Sequence, residues 1–264
     1  MQKGLLGAVI VGGCCSLVGV FVVLKGMSYV GAGIAHGCLA GVALAFLMGW
    51  NPLLMSTLAA LVMVVLIELI SRKTDLKLDT SIGVLFSLAM ALAVLFIGRL
   101  RRYTPDIMGY LFGNLLGVST TELWAMAGVT ALVFLVIGLF FKEFQFTVFD
   151  PEMAEVTGIP AALISLTLSV LMGLTIVISL QAVGELLVLA LIVLPASIAY
   201  QWTDSLRRMI AVSMAVGITV SVVGLVIAFY LDVPAGSTIV LLLGTIFLLS
   251  LLVRQRMPVG LGHG

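Results

Sequence analysis

Charged residues divide this chain into long apolar stretches. A helix needs about 20 apolar residues to cross a bilayer. Stretches of that length, free of Asp, Glu, Lys and Arg apart from an occasional boundary residue, predict nine membrane spans. They are residues 4–24, two helices within 26–67 that divide at 49–52, and residues 80–98, 123–141, 161–180, 186–203, 209–231 and 233–253.

One apolar segment is too short for an ordinary span. The uncharged residues 107–121 carry Gly109, Gly113 and Gly117, so the segment is either re-entrant or a short helix that crosses within protein. If it crosses, as a fifth crossing near residues 106–119, there are ten crossings and both termini are cytoplasmic. If it does not, the amino terminus lies outside.

Basic residues orient the second half of the chain but cannot choose between these topologies. The positive-inside rule places five of them in the cytoplasm: Lys142, Arg207, Arg208, Arg254 and Arg256. Both topologies then place nine of the 13 basic residues in the cytoplasm and four outside. With ten crossings, four ionisable residues gather in or near the outer half of the membrane, namely His36, Glu68, Asp79 and Glu185. This clustering favours ten crossings, in an all-α polytopic transmembrane bundle that forms one domain over residues 1–264.

Composition supports a membrane protein. The chain is 62% hydrophobic and 9% charged, with a mean hydropathy of +1.31 and a net charge of +1. A soluble domain has about 25% charged residues, so a soluble enzyme, a disordered chain and a nucleic-acid-binding protein are all excluded. There is no GxxxxGK[ST] phosphate loop and no HExxH motif. The three cysteines lie in apolar stretches and are expected to be packing residues.

Ionisable side chains within spans are costly and therefore candidates for function. His36 lies among Gly33, Gly37 and Gly41, whose spacing allows close helix approach. It is either hydrogen-bonded to a neighbouring helix or a metal ligand. Glu185 either stabilises a helix amino terminus or lies in a transport pathway, and Glu68 either reaches the membrane interface or belongs to the same pathway.

The hydrophilic segment 142–161 predicts a short cytoplasmic helix. Asp150 is a capping carboxylate, Pro151 suits the first helical position and Glu152 faces the positive end of the helix dipole. Gly158 and Pro160 then end the helix. It would expose three apolar side chains: Phe149, Met153 and Val156. The segment is either a surface connector or a docking helix.

Six segments, in order, resemble the permease subunits of ABC importers for zinc, manganese and related divalent metals. They are MSYVGAGIAHGCLAGVAL (27–44), DTSIGVLFSLAMAL (79–92), YLFGNLL (110–116), FDPEMAEVTGI (149–159), the stretch 184–199 ending LPASIA, and VVGLVIAFYLDVPAGSTIVLL (222–242). The resemblance implies a homodimeric permease in the plasma membrane of a prokaryote, similar to the larger vitamin B12-type importers. Its partners would be a separate ATPase and an extracytoplasmic metal-binding protein, the metal ion being cargo and the chain holding no cofactor. Residues 149–159 would then be the coupling helix that contacts the ATPase.

The chain departs from the family pattern Gly-Asp-x-x-x-His, because Ala32 occupies the acid position four residues before His36. Glu185 stands where the family commonly has an apolar residue, which suggests that the acid has moved to another helix. We therefore predict that His36 and Glu185 meet near the outer end of the pathway and receive the metal, with Asp79 and Glu68 as further candidate ligands. The alternative functions are a stand-alone secondary carrier and, less favoured, a membrane enzyme.

Overall fold

The computed structural model describes residues 1–27, 29–73, 78–100, 113 and 115–256. Within these ranges the chain forms α-helices and one 3-10 turn, Leu115–Gly117. The helices are α1 Gln2–Leu24, α2 Val30–Met48, α3 Pro52–Lys73, α4 Leu78–Arg99, α5 Thr120–Leu139, α6 Phe141–Phe149, α7 Pro151–Val156, α8 Ala161–Val183, α9 Glu185–Trp202, α10 Leu206–Leu231 and α11 Ala235–Arg256. Over the described ranges, nine of these are long and apolar enough to span a membrane. The all-α class and the nine predicted spans are confirmed.

The start of α5 shows why span boundaries cannot be placed at charges alone. The predicted span begins at Leu123, after Glu122, whereas the helix begins at Thr120. The Ser119 hydroxyl accepts the Glu122 backbone N–H, and the Glu122 carboxylate accepts the Ser119 backbone N–H at 2.7 Å. This capping box makes the charged residue part of the helix start.

Helix α1 is the most enclosed helix of the bundle, and it packs against α5, α8, α9 and α10. Two of its glycines lie directly against neighbouring backbone. A β-carbon at Gly12 would lie 2.8 Å from the Gly217 carbonyl oxygen, and one at Gly19 would overlap the Ile192 carbonyl. Only glycine permits these contacts, so α1 fixes the positions of α10 and α9.

Contacts at the two ends of α1 define two faces of the bundle. At its end, the Lys25 ammonium donates to the Ser165 hydroxyl at 2.6 Å near the start of α8. Lys25 also lines a cavity with Glu68 of α3 and Pro151 of α7. At its start, Lys3 donates to the Thr120 hydroxyl at 2.8 Å. The carboxyl ends of α1 and α3 therefore lie at the face that carries α7, and the amino terminus lies at the opposite face.

Helix α4 runs in the same direction as α2. Ile82, near its start, packs beside Gly33, and Ile97 and Leu100, near its end, pack against a cluster that contains Leu39. Helix α4 therefore ends at the face where α5 begins. The described residues on either side of 101–112 therefore lie at one face. The predicted crossing near 106–119 lies largely outside the described residues.

This arrangement corrects the favoured topology. Within the described ranges there are nine crossings, and α1 begins at the face opposite α7, so the amino terminus is not cytoplasmic. The α7 face carries most of the basic side chains in the described ranges, namely Lys25, Lys73, Lys142, Arg207, Arg208 and Arg254, against Lys3 and Arg99 on the other. By the positive-inside rule the α7 face is cytoplasmic. The prediction of a cytoplasmic amino terminus was wrong because both topologies place nine basic residues in the cytoplasm and four outside, and the clustering of ionisable residues was misleading.

We predict that an impermeant maleimide labels Lys3→Cys from outside intact cells, because α1 begins at the extracytoplasmic face. Lys142→Cys is the matched control and should react only after the cells are opened. The native cysteines are buried and should stay unlabelled. The opposite labelling pattern would contradict the nine-crossing topology.

Candidate functional site

His36 and Glu185 are in direct contact. His36 lies on α2 and Glu185 is the first residue of α9, and the imidazole Nδ1 is 2.6 Å from the Glu185 Oε1. The same nitrogen is 3.0 Å from the carbonyl oxygen of Ala32, one turn earlier on α2. The predicted approach of the two side chains is therefore present, with the Ala32 backbone at the position where the family pattern has an acid.

The surroundings of Nδ1 define the imidazole's protonation. A carboxylate and a carbonyl are both acceptors, so Nδ1 must carry the proton and donate to them. In a neutral imidazole the other nitrogen, Nε2, then keeps a lone pair. A carboxylate bound to one nitrogen of a histidine whose other nitrogen is free is the arrangement that orients histidine ligands for metals.

Glu185 is buried, at 7% exposure. Gly184 precedes it with φ 81° and ψ 163° and ends α8. The carboxylate lies in the first turn of α9, where the positive end of the helix dipole favours an anion. A carboxylate beside a neutral imidazole leaves one negative charge in the interior of the bundle, which a cation would compensate.

The depth of the pair differs between the two helices that carry it. His36 follows the cytoplasmic start of α2 by six residues and precedes its outer end by twelve, about 9 Å and about 18 Å at a rise of about 1.5 Å per residue. Glu185, by contrast, is the first residue of α9, which begins after α8 has run 23 residues from the cytoplasmic face. The predicted position near the outer end of the pathway stays a prediction.

Packing around His36 holds the imidazole between helices. The Phe86 ring of α4 lies with its centroid 4.4 Å from that of the imidazole. Gly37, on the next turn of α2, lies so close to the Met63 side chain of α3 that any β-carbon there would overlap it. The glycine-rich face of α2 thus brings α3 close, as its spacing predicted. Phe86 was missed by the sequence analysis, because nothing in the sequence distinguishes it from other apolar residues of the span.

The other two candidate ligands do not join the pair among the described contacts. Glu68 lines the cytoplasmic cavity of about 630 Å³ together with Lys25, Glu155 and Ser165. The Asp79 side chain lies outside the described residues, although its backbone belongs to α4. Within the part of the chain that the structure describes, no group of three or more His, Cys, Asp or Glu side chains could hold a metal ion.

The hydrophilic segment forms two short helices instead of one. Phe149 ends α6, and α7 begins after Asp150, whose carboxylate accepts the Met153 backbone N–H at 2.9 Å. Gly158 follows α7 with φ 84°. The predicted cap and stop are therefore confirmed, while the helix is shorter than 149–159 because Asp150 breaks it from Phe149. The three predicted apolar side chains are exposed: Phe149 at 62%, Met153 at 53% and Val156 at 82%.

A bundle of apolar spans around a half-buried histidine and a buried carboxylate, with a capped helix that exposes apolar side chains at the cytoplasmic face, is typical of a membrane transport subunit. The chain matches the ABC 3 transport family over residues 1–254 and belongs to that family. It is therefore a transport subunit and not an enzyme.

Individual relatives agree over nearly the whole length. The chain is 38% identical to the manganese import system permease protein ScaB of Streptococcus gordonii, over 97% of this chain and 92% of that protein. It is 32% identical to the chelated iron transport system membrane protein YfeD of Yersinia pestis, over 98% and 87%. The solved structure of PsaBC from Streptococcus pneumoniae in complex with Fab aligns with a TM-score of 0.85 at 37% identity, over 97% of this chain and 93% of that chain.

Proposed function

We propose that this chain is the permease of an ATP-driven importer for a divalent transition metal, with manganese as the first candidate and zinc or iron as alternatives. It acts as a homodimer in the plasma membrane of a prokaryote. A separate ATPase subunit binds at the cytoplasmic face, and an extracytoplasmic metal-binding protein delivers the ion. Several relatives over nearly the full length are named for manganese, which supports this order of metals.

The contact between His36 and Glu185 carries the proposal. In the proposed role the Nε2 of His36 binds the ion, and Glu185, which is hydrogen-bonded to Nδ1, orients the imidazole and supplies the negative charge that attracts a cation. Imidazole nitrogen suits zinc and iron, while manganese prefers oxygen ligands, which water or a partner subunit would supply. One protein ligand leaves the remaining coordination positions open. An incomplete coordination shell binds the ion weakly enough for it to leave again.

The connection between the cytoplasmic helix and this pair supports a coupling role for α7. After Pro160, helix α8 continues for 23 residues, about 34 Å, and ends directly before Gly184 and Glu185. Lys25 joins the start of α8 to the turn that precedes α2, the helix of His36. A displacement of α7 by the ATPase would therefore reach both members of the pair through packed helices.

We predict that Met153→Arg uncouples ATP hydrolysis from metal uptake. In the proposed complex Met153 enters a groove of the ATPase beside Phe149, and an unpaired guanidinium buried there costs several kcal/mol. Since each ~1.4 kcal/mol is tenfold in affinity, binding of the ATPase should fall by at least about tenfold. Met153→Leu keeps the volume and apolar character and is the matched control. Normal ATPase binding and normal uptake in Met153→Arg would remove the coupling role.

We predict that His36→Ala and Glu185→Gln each lower uptake by about 10-fold to 100-fold, the usual loss when a metal ligand or its orienting partner is removed. Because the two act at one site, the double variant should be little worse than the more damaging single variant. Uptake of radioactive manganese into proteoliposomes that contain the permease, the ATPase and the binding protein measures this. Losses that simply multiply would assign the residues to separate tasks, and wild-type uptake in either single variant would exclude the shared site.

Purification distinguishes the proposal from the alternatives. A permease co-purifies with an ATPase and transports only when ATP is hydrolysed. A secondary carrier or a membrane enzyme would be active as the isolated chain, and such activity would contradict the proposed function.

A further inference from the structure

Gly113 lies against the residues that precede Glu185. Its backbone has φ 69°, and a β-carbon there would overlap the Val183 carbonyl group and the Gly184 nitrogen. These are main-chain atoms at the junction of α8 and α9, which cannot rotate away as a flexible side chain can. Position 113 therefore favours glycine for two reasons: its φ is positive, and the neighbouring backbone leaves no room for a β-carbon.

Leu115 packs against the extracytoplasmic end of α1. Leu115 and Val118 are buried at 4% and 5% exposure. The carbonyl oxygen of Leu115 lies 3.0 Å from where a β-carbon at Gly4 would stand, and its side chain packs beside Gly7. Leu115 is thus held by α1, while Gly113, two residues earlier, touches the junction.

The position of that junction decides where the Glu185 carboxylate stands. Gly184 is the N-cap of α9, and its carbonyl accepts the first backbone hydrogen bond of the helix, from the Val188 N–H at 3.2 Å. Glu185 follows immediately. A shift of the junction by a few tenths of an ångström is transferred to a carboxylate whose contact with His36 is only 2.6 Å long.

We propose that Gly113 is a positioning residue for Glu185, so that the backbone at Gly113, at the extracytoplasmic side, sets the geometry of the His36–Glu185 pair. This inference rests on the proposed function, since it assumes that the pair receives the transported cation. It assigns a transport role to a residue that touches neither His36 nor the ion and acts only through the Val183–Gly184 backbone.

The test compares Gly113→Ala with Gly49→Ala in the complete transporter. Gly49 ends α2 at the same membrane face with φ 71°, and nothing lies within 4 Å of a β-carbon there. The two substitutions therefore introduce the same backbone strain, and only the first one presses on the α8–α9 junction. Assembly with the ATPase is measured first, followed by manganese uptake as a function of manganese concentration.

Gly113→Ala should lower uptake by about tenfold, the lower end of the range for losing a residue that supports a metal ligand. Gly49→Ala should stay near wild type. Combined with Glu185→Gln, Gly113→Ala should produce no further loss, because the carboxylate that it positions is already gone. If Gly113→Ala does not assemble, Leu115→Ala takes its place, since it loosens the same backbone without an overlap, and the same comparison with Glu185→Gln applies.

Two results would overturn the inference while leaving the proposed function intact: wild-type uptake in Gly113→Ala, or an equal loss whether or not Glu185 is present. The second result would mean that Gly113 has only a structural role. Wild-type uptake in Glu185→Gln would instead overturn the proposed site, and this inference with it.

Discussion

The close backbone contact of α1 with its neighbours is the constraint on which the rest of the structure depends. In a bilayer, apolar side chains gain little from leaving lipid for protein, so helices associate through close packing and small residues. Gly12 and Gly19 bring α10 and α9 against α1 with no side chain between them. Because α9 begins with Glu185, the position of the carboxylate follows from how near α9 can approach α1. Glycine on α2 does the same for α3 at Met63, and the two sets of contacts bring His36 and Glu185 together.

The His36–Glu185 pair is stabilised by its surroundings, while the Nε2 atom of His36 remains available to a ligand. The carboxylate has the imidazole proton and the positive end of α9, and Nδ1 has two acceptors, so neither group is left unpaired. The negative charge is nevertheless not neutralised when the imidazole is neutral. A site that is structurally satisfied but electrostatically incomplete is suited to a passing cation. It need not rearrange to receive the ion, and it does not hold it with a full coordination shell.

Both ends of the bundle connect to this pair through backbone. From the cytoplasmic face, α7 leads into α8, which ends at Gly184; from the outer face, Gly113 lies against the same residue. The Gly184 backbone is therefore connected to both faces of the bundle. Packed interiors transmit displacement because they have few voids to absorb it.

Much of this protein was predictable from the sequence, for local reasons. The nine spans follow from apolar length, and the cap and stop of α7 follow from Asp150, Pro151 and Gly158, because hydrophobic burial and capping act within a few residues. The departure at Ala32 and the unusual Glu185 correctly indicated a pair. The side of the membrane at which α1 begins and the separation of Glu68 from that pair were decided only by the tertiary structure. Each depends on which ends of which helices share a face, and both topologies divide the 13 basic residues nine to four. The contact of Gly113 with the α8–α9 junction is likewise invisible in the sequence, since it joins backbones about seventy residues apart.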